Sequence, residues 1–192
     1  MGIKKLLKHS IRTAIIASSF SKNYLKLSEE EVNSLFISAI YHDIGKLFIP
    51  NEILYKEDKL TKEEFEIIKE HPTYSFNLLS YSKKFNDNIL RAVKEHHERI
   101  DGKGYPLGLM RDEISYISKV LSICDAYEAM TTDRCYQKRK NREEAIIEIK
   151  NGLDAQFDRE LGLFFIDFIS KEEEFLFNDI NYNYIPLINY VG

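Results

Sequence analysis

Cysteine is scarce in this sequence, and long apolar runs are absent from it. The two cysteines, Cys124 and Cys135, have neither the spacing of a zinc site nor the number that a disulfide framework needs. Such usage is typical of a reducing compartment, so we expect a cytoplasmic protein. No stretch reaches the roughly 20 apolar residues of a membrane helix. Lys8, His9 and Arg12 also interrupt the first apolar stretch before it reaches the length of a signal-peptide core, so we expect no membrane insertion.

The chain also lacks a large charge of either sign. Its 27 lysines and arginines against 31 aspartates and glutamates give a formal net charge of −4. A general nucleic-acid binder carries a basic excess, so we expect no nucleic-acid polymer as a partner, and any phosphate chemistry must come from a local site. The length of 192 residues and the 44% hydrophobic content favour one globular domain with a sizeable core.

Apolar residues recur at three- and four-residue spacing along most of the chain, which predicts an all-α domain. The first amphipathic stretch covers residues 3–15. Further helix starts are predicted at four residues that can cap a helix, Ser28, Thr61, Asp87 and Asn141. A fifth start is predicted at about Ser115, where the apolar pattern resumes. The helix that begins after Ser28 is predicted to end at Gly45, because glycine accepts the left-handed conformation of a C-terminal cap.

Two segments do not fit the helical pattern. Residues 98–112 contain three glycines and a proline, which predicts a loop. A last core helix at residues 161–169 is followed by a less regular stretch. We therefore assign residues 1–170 to the domain and residues 171–192 to a C-terminal tail of uncertain structure, which is a docked arm, a short strand pair or a disordered segment.

Histidines and aspartates that could bind metal ions lie mostly at the ends of predicted helices. They are His42 and Asp43, His71, His96 and His97, with Asp125 in the middle of a helix. Neutral imidazoles together with carboxylates suit manganese, iron and zinc. Since adjacent residues point about 100° apart on a helix, His42 and Asp43 could serve two neighbouring metals or one metal from two sides. A bridging Asp43 would hold two ions about 3.5–4 Å apart.

Each of these features has a simpler interpretation when taken alone. A His-Asp pair arises easily by chance. A single buried histidine such as His9 is more often a core residue than a ligand, and the His96-His97 pair could be a polar helix end that the helix dipole favours. The order of several motifs along the chain is the specific signal.

This ordered set of motifs resembles the HD-GYP family, a subgroup of the HD metal-dependent phosphohydrolases. The motifs are HDIGK at residues 42–46, HP at 71–72, HHERIDGKGYP at 96–106 and DAYEAMT at 125–131, followed by Arg134 and Tyr136. The resemblance covers roughly residues 7–169. It implies a single helical bundle that holds a metal centre.

The resemblance also implies a set of metal ligands and the metals themselves. Two divalent ions, iron or manganese, are implied to bind seven residues: His9, His42, Asp43, His71, His96, His97 and Asp125. Asp43 is implied to bridge the ions. Family members with a third metal tend to have a glutamate one helical turn before the early histidine, whereas this sequence has Lys5 there. That departure favours two ions over three.

The activity implied by the resemblance is hydrolysis of cyclic di-GMP to linear pGpG, and in many members onward to GMP, by a metal-bridging hydroxide. Asp43 and Lys46 are implied to be catalytic, with Lys46 stabilising charge on the phosphoryl oxygens or donating a proton to the departing 3′ oxygen. A simpler interpretation of Lys46 is a favourable charge at a helix end. The implied substrate contacts are Lys46, Gly104, Tyr105 and Arg134.

Two other functions remain open at this point. One is a phosphohydrolase of another cyclic dinucleotide or nucleotide. The other is a module that senses cyclic di-GMP, or docks onto diguanylate cyclases through the Gly-Tyr-Pro loop, with little turnover. The intact motif residues favour the enzyme. A homodimer is a further prediction, and since many relatives carry a sensory or receiver domain, this chain is either a stand-alone enzyme or part of a longer protein.

Overall fold

The structure is all-helical, as the sequence predicts. The computed structural model describes residues 2–132 and 139–171, and these residues form nine α-helices and one 3-10 helix but no strand. In chain order the elements are α1 (Gly2–Asn23), α2 (Glu29–Tyr41), the 3-10 helix (Ile44–Phe48), α3 (Asn51–Leu54), α4 (Lys62–Ile68), α5 (His71–Ser82), α6 (Asp87–Glu95), α7 (Tyr116–Thr131), α8 (Arg142–Gly152) and α9 (Arg159–Lys171). None of these described helices is long and apolar enough to cross a membrane. The predicted tail lies, apart from Lys171, outside the described residues.

Helix α7 forms the centre of the bundle. It packs against α1, α2, α6, α8 and α9, and most of its side chains are buried. Phe20, Phe165 and Phe168 form an aromatic group in the same core, with ring centroids 4.9–5.8 Å apart. Two acidic residues, Asp125 and Glu128, also lie on the buried face of α7. The fold therefore places two carboxyl groups inside an apolar bundle.

Four of the five predicted helix starts are confirmed by capping hydrogen bonds: those at Ser28, Thr61, Ser115 and Asn141. The assignment of Asp87 as a cap is wrong. Asn86 is the N-cap, and its side chain accepts a hydrogen bond from Ile89 N at 3.0 Å. Both residue types can cap a helix, but Asn86 has the extended backbone from which a side chain reaches the third amide of the helix.

The prediction that Gly45 ends the second helix is also wrong. Helix α2 ends at Tyr41, and Gly45 lies within the 3-10 helix, which packs against α5. A Cβ atom on Gly45 would overlap the carbonyl oxygen of His71 and lie 2.6 Å from Ser75 N. Gly45 N donates to Ser75 Oγ, which donates in turn to the carbonyl oxygen of His42, both at 2.8 Å. Glycine is present here because two backbone segments approach closely, not because a helix ends.

The buried carboxylate of Glu98 holds the predicted loop over residues 98–112. It accepts hydrogen bonds from three backbone N–H groups, those of Leu107, Gly108 and Leu109, at 2.6, 3.1 and 3.0 Å. Within the same loop, Arg99 donates two hydrogen bonds to Asp101. These contacts brace the segment that carries the Gly-Tyr-Pro motif.

Replacing Gly45 with alanine should destabilise the fold, because the new methyl group would have to displace the backbone of α5. We expect the free energy of unfolding to fall by roughly 1–3 kcal/mol, the usual range for overpacking, as measured by urea denaturation followed by circular dichroism. Gly152→Ala is the control and should cost less, since its Cβ would meet the side-chain ring of Phe157 at 3.0 Å rather than backbone. Wild-type stability of Gly45→Ala would contradict the close approach.

Candidate metal centre

The seven predicted metal ligands lie together, although they come from five parts of the chain. They are His9 on α1, His42 and Asp43 after α2, His71 at the start of α5, His96 and His97 after α6, and Asp125 on α7. Their candidate ligand atoms form two groups, and within each group the atoms lie within 4.8 Å of one another. The first group comprises Asp43, His71, His96 and His97, and the second comprises His9, His42 and Asp125.

Three of the histidine rings are oriented by the ends of the helices that precede them. His42, His71 and His96 each hydrogen-bond through Nδ1 to the carbonyl oxygen three residues earlier in the chain. The acceptors are Ala39, Ile68 and Val93, at 2.8, 2.7 and 2.7 Å. The last carbonyls of a helix have no partner within the helix and are free to accept. Because a carbonyl oxygen can only accept, Nδ1 carries the proton, and Nε2 is left to bind a metal.

The Nε2 atoms of these rings converge in a way that needs a cation. His71 Nε2 lies 3.3 Å from His96 Nε2, and His42 Nε2 lies 3.3 Å from His9 Nε2. Since Nδ1 of His71 and of His96 each donates its proton to a carbonyl oxygen, a lone pair remains on each Nε2 unless the ring takes up a second proton. Two lone pairs facing each other repel unless a proton or a metal ion lies between them. This donor set fits divalent metal ions.

The carboxylate of Asp43 belongs to the first group and also reaches the second. Its side chain is 1% exposed, and its two oxygens lie near different histidines. Asp43 Oδ1 makes no hydrogen bond and lies 3.1 Å from His71 Nε2. Asp43 Oδ2 lies 3.4 Å from His42 Nε2 and 3.5 Å from His9 Nε2. A buried carboxylate oxygen without a donor is costly, and this placement is the one that a ligand shared by two ions requires.

Burial and neighbouring charges determine the protonation of the site. Burial lowers the pKa of His97 to about 3, so its ring is neutral, as a metal ligand must be. Burial also opposes the charged form of His42, but Asp43 and Asp125 outweigh it and raise its pKa to about 10. Burial disfavours the charged form of Asp43 too, yet Lys46 holds its pKa well below the usual range. Metal binding at the second group must therefore displace a proton from His42.

The predicted catalytic lysine and the tyrosine of the Gly-Tyr-Pro motif lie next to this centre. Lys46 Nζ is 2.6 Å from Asp43 Oδ2. The ring of Tyr105 packs against the ring of His97, with centroids 4.7 Å apart and an interplanar angle of 32°. Lys46 thus contacts the carboxylate of Asp43, and Tyr105 contacts a histidine of the first group.

A cavity of about 420 Å³ opens beside the ligand groups, a size typical of ligand pockets. Gly104 and Tyr105 form part of its wall, and a Cβ atom on Gly104 would collide with the backbone of the same loop. Among the described residues, four cationic side chains also line the cavity, which suits an anionic ligand: Lys46, Lys69, Arg99 and Lys103. Arg134, the remaining predicted substrate contact, lies outside the described residues.

Similarity to known proteins identifies the family of this chain. A family model described as an HD domain matches residues 3–161, which is most of the chain. The chain belongs to the HD domain family. This match confirms the family resemblance that the ordered motifs predict.

Two curated relatives and one solved structure illustrate the similarity of this HD domain to others. The chain is 36% identical over 163 residues to the cyclic di-GMP phosphodiesterase PdeB of Borreliella burgdorferi, covering 85% of this chain and 42% of that one. It is 36% identical over 131 residues to 3'3'-cGAMP-specific phosphodiesterase 1 of Vibrio cholerae, covering 68% and 30%. Bd1817, an HDG"Y"P protein of Bdellovibrio bacteriovorus, has the same fold, with a TM-score of 0.72, 17% identity and coverage of 86% and 52%. The chain spans less than half the length of the curated relatives it matches.

The HD domain contains one positioning residue that the sequence analysis missed. Glu128 is buried on α7 and its Oε2 contacts His9 Nδ1. Its Oε1 accepts a hydrogen bond from Thr132 Oγ1 at 2.7 Å and pairs with Arg12 Nε at 3.2 Å. His9 is therefore oriented by a carboxylate, not by a helix carbonyl. The sequence does contain a signal for Glu128: it lies three residues after Asp125, a spacing that places both side chains on the same face of a helix.

Replacing Glu128 with alanine should weaken metal binding, because His9 would lose the group that orients its ring. We expect the affinity for manganese(II) to fall by roughly 10- to 100-fold, the usual effect of losing such a partner, as measured by equilibrium dialysis. Glu128→Gln should lose less manganese affinity, since its amide oxygen can still accept a hydrogen bond from His9 Nδ1.

The control is Glu95→Ala, which removes another buried carboxylate. Glu95 accepts hydrogen bonds from Ser115 N and Ser118 Oγ and lies outside both ligand groups. That variant should lose stability and keep its metal affinity. Equal manganese binding by Glu128→Ala and wild type would show that Glu128 does not orient His9.

Proposed function

We propose that this chain is the catalytic domain of a metal-dependent phosphodiesterase that hydrolyses cyclic di-GMP. The observation that carries the proposal is that the carboxylate of Asp43 belongs to the first group of ligand atoms and also reaches two histidines of the second. Members of both groups line the cavity, together with four cationic side chains. The similarity to proteins named cyclic di-GMP phosphodiesterases supports the choice of substrate.

The seven predicted ligands would hold two divalent ions, one at each group, with Asp43 shared between them. When bound, two such ions lower the pKa of a water and neutralise charge on phosphoryl oxygens. We propose iron or manganese, because both accept mixed imidazole and carboxylate ligands. Lys5 stands where a glutamate would support a third ion, and we therefore propose two ions. Because the third ion is missing, we propose linear pGpG as the product, with further hydrolysis to GMP as a slower step.

The residues of the chain itself have separate roles in this proposal. Lys46, held beside Asp43 Oδ2, stabilises negative charge on the phosphoryl group and can give a proton to the departing 3′ oxygen. Burial raises the pKa of the Tyr105 hydroxyl, helped by Asp43 and Asp125. The hydroxyl therefore stays protonated and can donate a hydrogen bond to phosphate. Arg134 is proposed, from its motif, as a bidentate phosphate contact.

A second candidate substrate is 3'3'-cGAMP, which the similarity to the Vibrio cholerae relative favours. This molecule has the same two phosphodiester linkages and differs from cyclic di-GMP in one base. The phosphate chemistry described above would serve either substrate. The cytoplasmic location, the diguanylate cyclase partner and the homodimer stay predictions.

The proposal is tested by loading the protein with iron(II) or manganese(II) without oxygen, adding each cyclic dinucleotide and resolving the products by chromatography. We expect pGpG from cyclic di-GMP. Asp43→Ala should lose metal loading and turnover while circular dichroism still shows a helical fold, because the shared ligand is gone. Turnover by Asp43→Ala at the wild-type rate would contradict the two-metal site. No turnover of either dinucleotide by the metal-loaded wild type would overturn the proposed function.

A further inference from the structure

The wall of the cavity contains an exposed aromatic side chain that the metal centre does not use. Phe65 lies on α4, lines the cavity and is 46% exposed. It is outside the buried core clusters of the described residues. Core packing therefore does not account for a phenylalanine at this position.

Phe65 lies one ring farther from the metal centre than Tyr105. The Phe65 and Tyr105 centroids are 6.4 Å apart at an interplanar angle of 80°, and Tyr105 also packs against His97, with centroids 4.7 Å apart. Tyr105 thus contacts both Phe65 and a predicted metal ligand, so a phosphate held at the ligand groups and a group on the Phe65 ring would both lie next to Tyr105. In a nucleotide, the sugar likewise lies next to both the phosphate and the base.

A cation accompanies this aromatic wall. Lys69 Nζ lies over the rings of Phe65 and Tyr105, 5.5 and 6.0 Å from their centroids, so a base would stack on the Phe65 face that Lys69 does not cover. Its position is held by an ion pair with Glu66 Oε1 at 2.6 Å. An aromatic face next to a cation is the combination by which proteins bind nucleotides without reading base identity, since every base has a face that can stack.

We propose that Phe65, with Lys69 beside it, forms a subsite that stacks a purine base of the substrate. This inference rests on the proposed function, and it adds the residue that holds the base. Stacking does not distinguish guanine from adenine. Cyclic di-GMP and 3'3'-cGAMP therefore gain similar affinity from Phe65, and base selection must come from other contacts.

The test uses 2-aminopurine riboside 5′-monophosphate, whose fluorescence is quenched when its base stacks. Metal-loaded wild type should bind this probe with quenching. Phe65→Ala should bind it roughly tenfold more weakly, the usual effect of losing one base–aromatic stack, and should lose the quenching, while Phe65→Trp keeps both. Lys69→Met should bind the probe more weakly and keep the quenching, because it removes the charge and leaves the ring.

The matched control is Phe164→Ala on α9, which removes a similarly exposed phenylalanine (48%) outside the cavity wall. It should bind and quench the probe like the wild type. Unchanged affinity and quenching in Phe65→Ala would overturn the subsite, as would the lack of quenching in the wild type. The proposed reaction is assayed separately: quenching that depends on Phe65 in a protein without turnover would support the subsite and refute the phosphodiesterase.

Discussion

The carboxylate of Asp43 is a negative charge buried among histidine rings, and the arrangement of the site depends on compensating it. An isolated carboxylate in such surroundings would be strongly destabilised. Lys46 supplies one positive charge at 2.6 Å, and protons or metal ions between the rings supply the rest. Removing one partner of such a buried set lowers the free energy of unfolding by more than the complete set adds to it. The centre therefore behaves as a unit in which each ligand depends on the others.

The helical bundle positions this unit through the ends of its helices. Carbonyls that helices leave unpaired at their C-termini hold three histidines by Nδ1, which aims Nε2 inward without any additional polar side chain. Gly45 lets the 3-10 helix that follows Asp43 pack directly on the start of α5. The distance between Asp43 and His71 is thus set by backbone packing and not by flexible side chains.

Local signals in the sequence predict most of the fold. Capping boxes depend on residues three apart, so Ser28, Thr61 and Asn141 are recognised without knowledge of the tertiary structure. The proposed ligand set follows from the family resemblance that the order of the motifs carries, whereas single histidines would not have suggested it. The roles of Gly45 and Glu128 depend on contacts between residues far apart in sequence, with α5 and with His9 respectively. Neither spacing nor composition carries that information.

The sharing of Asp43 by two metal ions can be tested directly. Crystals of the manganese(II)-loaded protein, measured with X-rays at the manganese absorption edge, would locate the ions directly by anomalous scattering. We expect two peaks about 3.5–4 Å apart, one next to each oxygen of Asp43, with the histidines of the first group on one side and His9 and His42 on the other. A single peak, or peaks away from Asp43, would contradict this sharing.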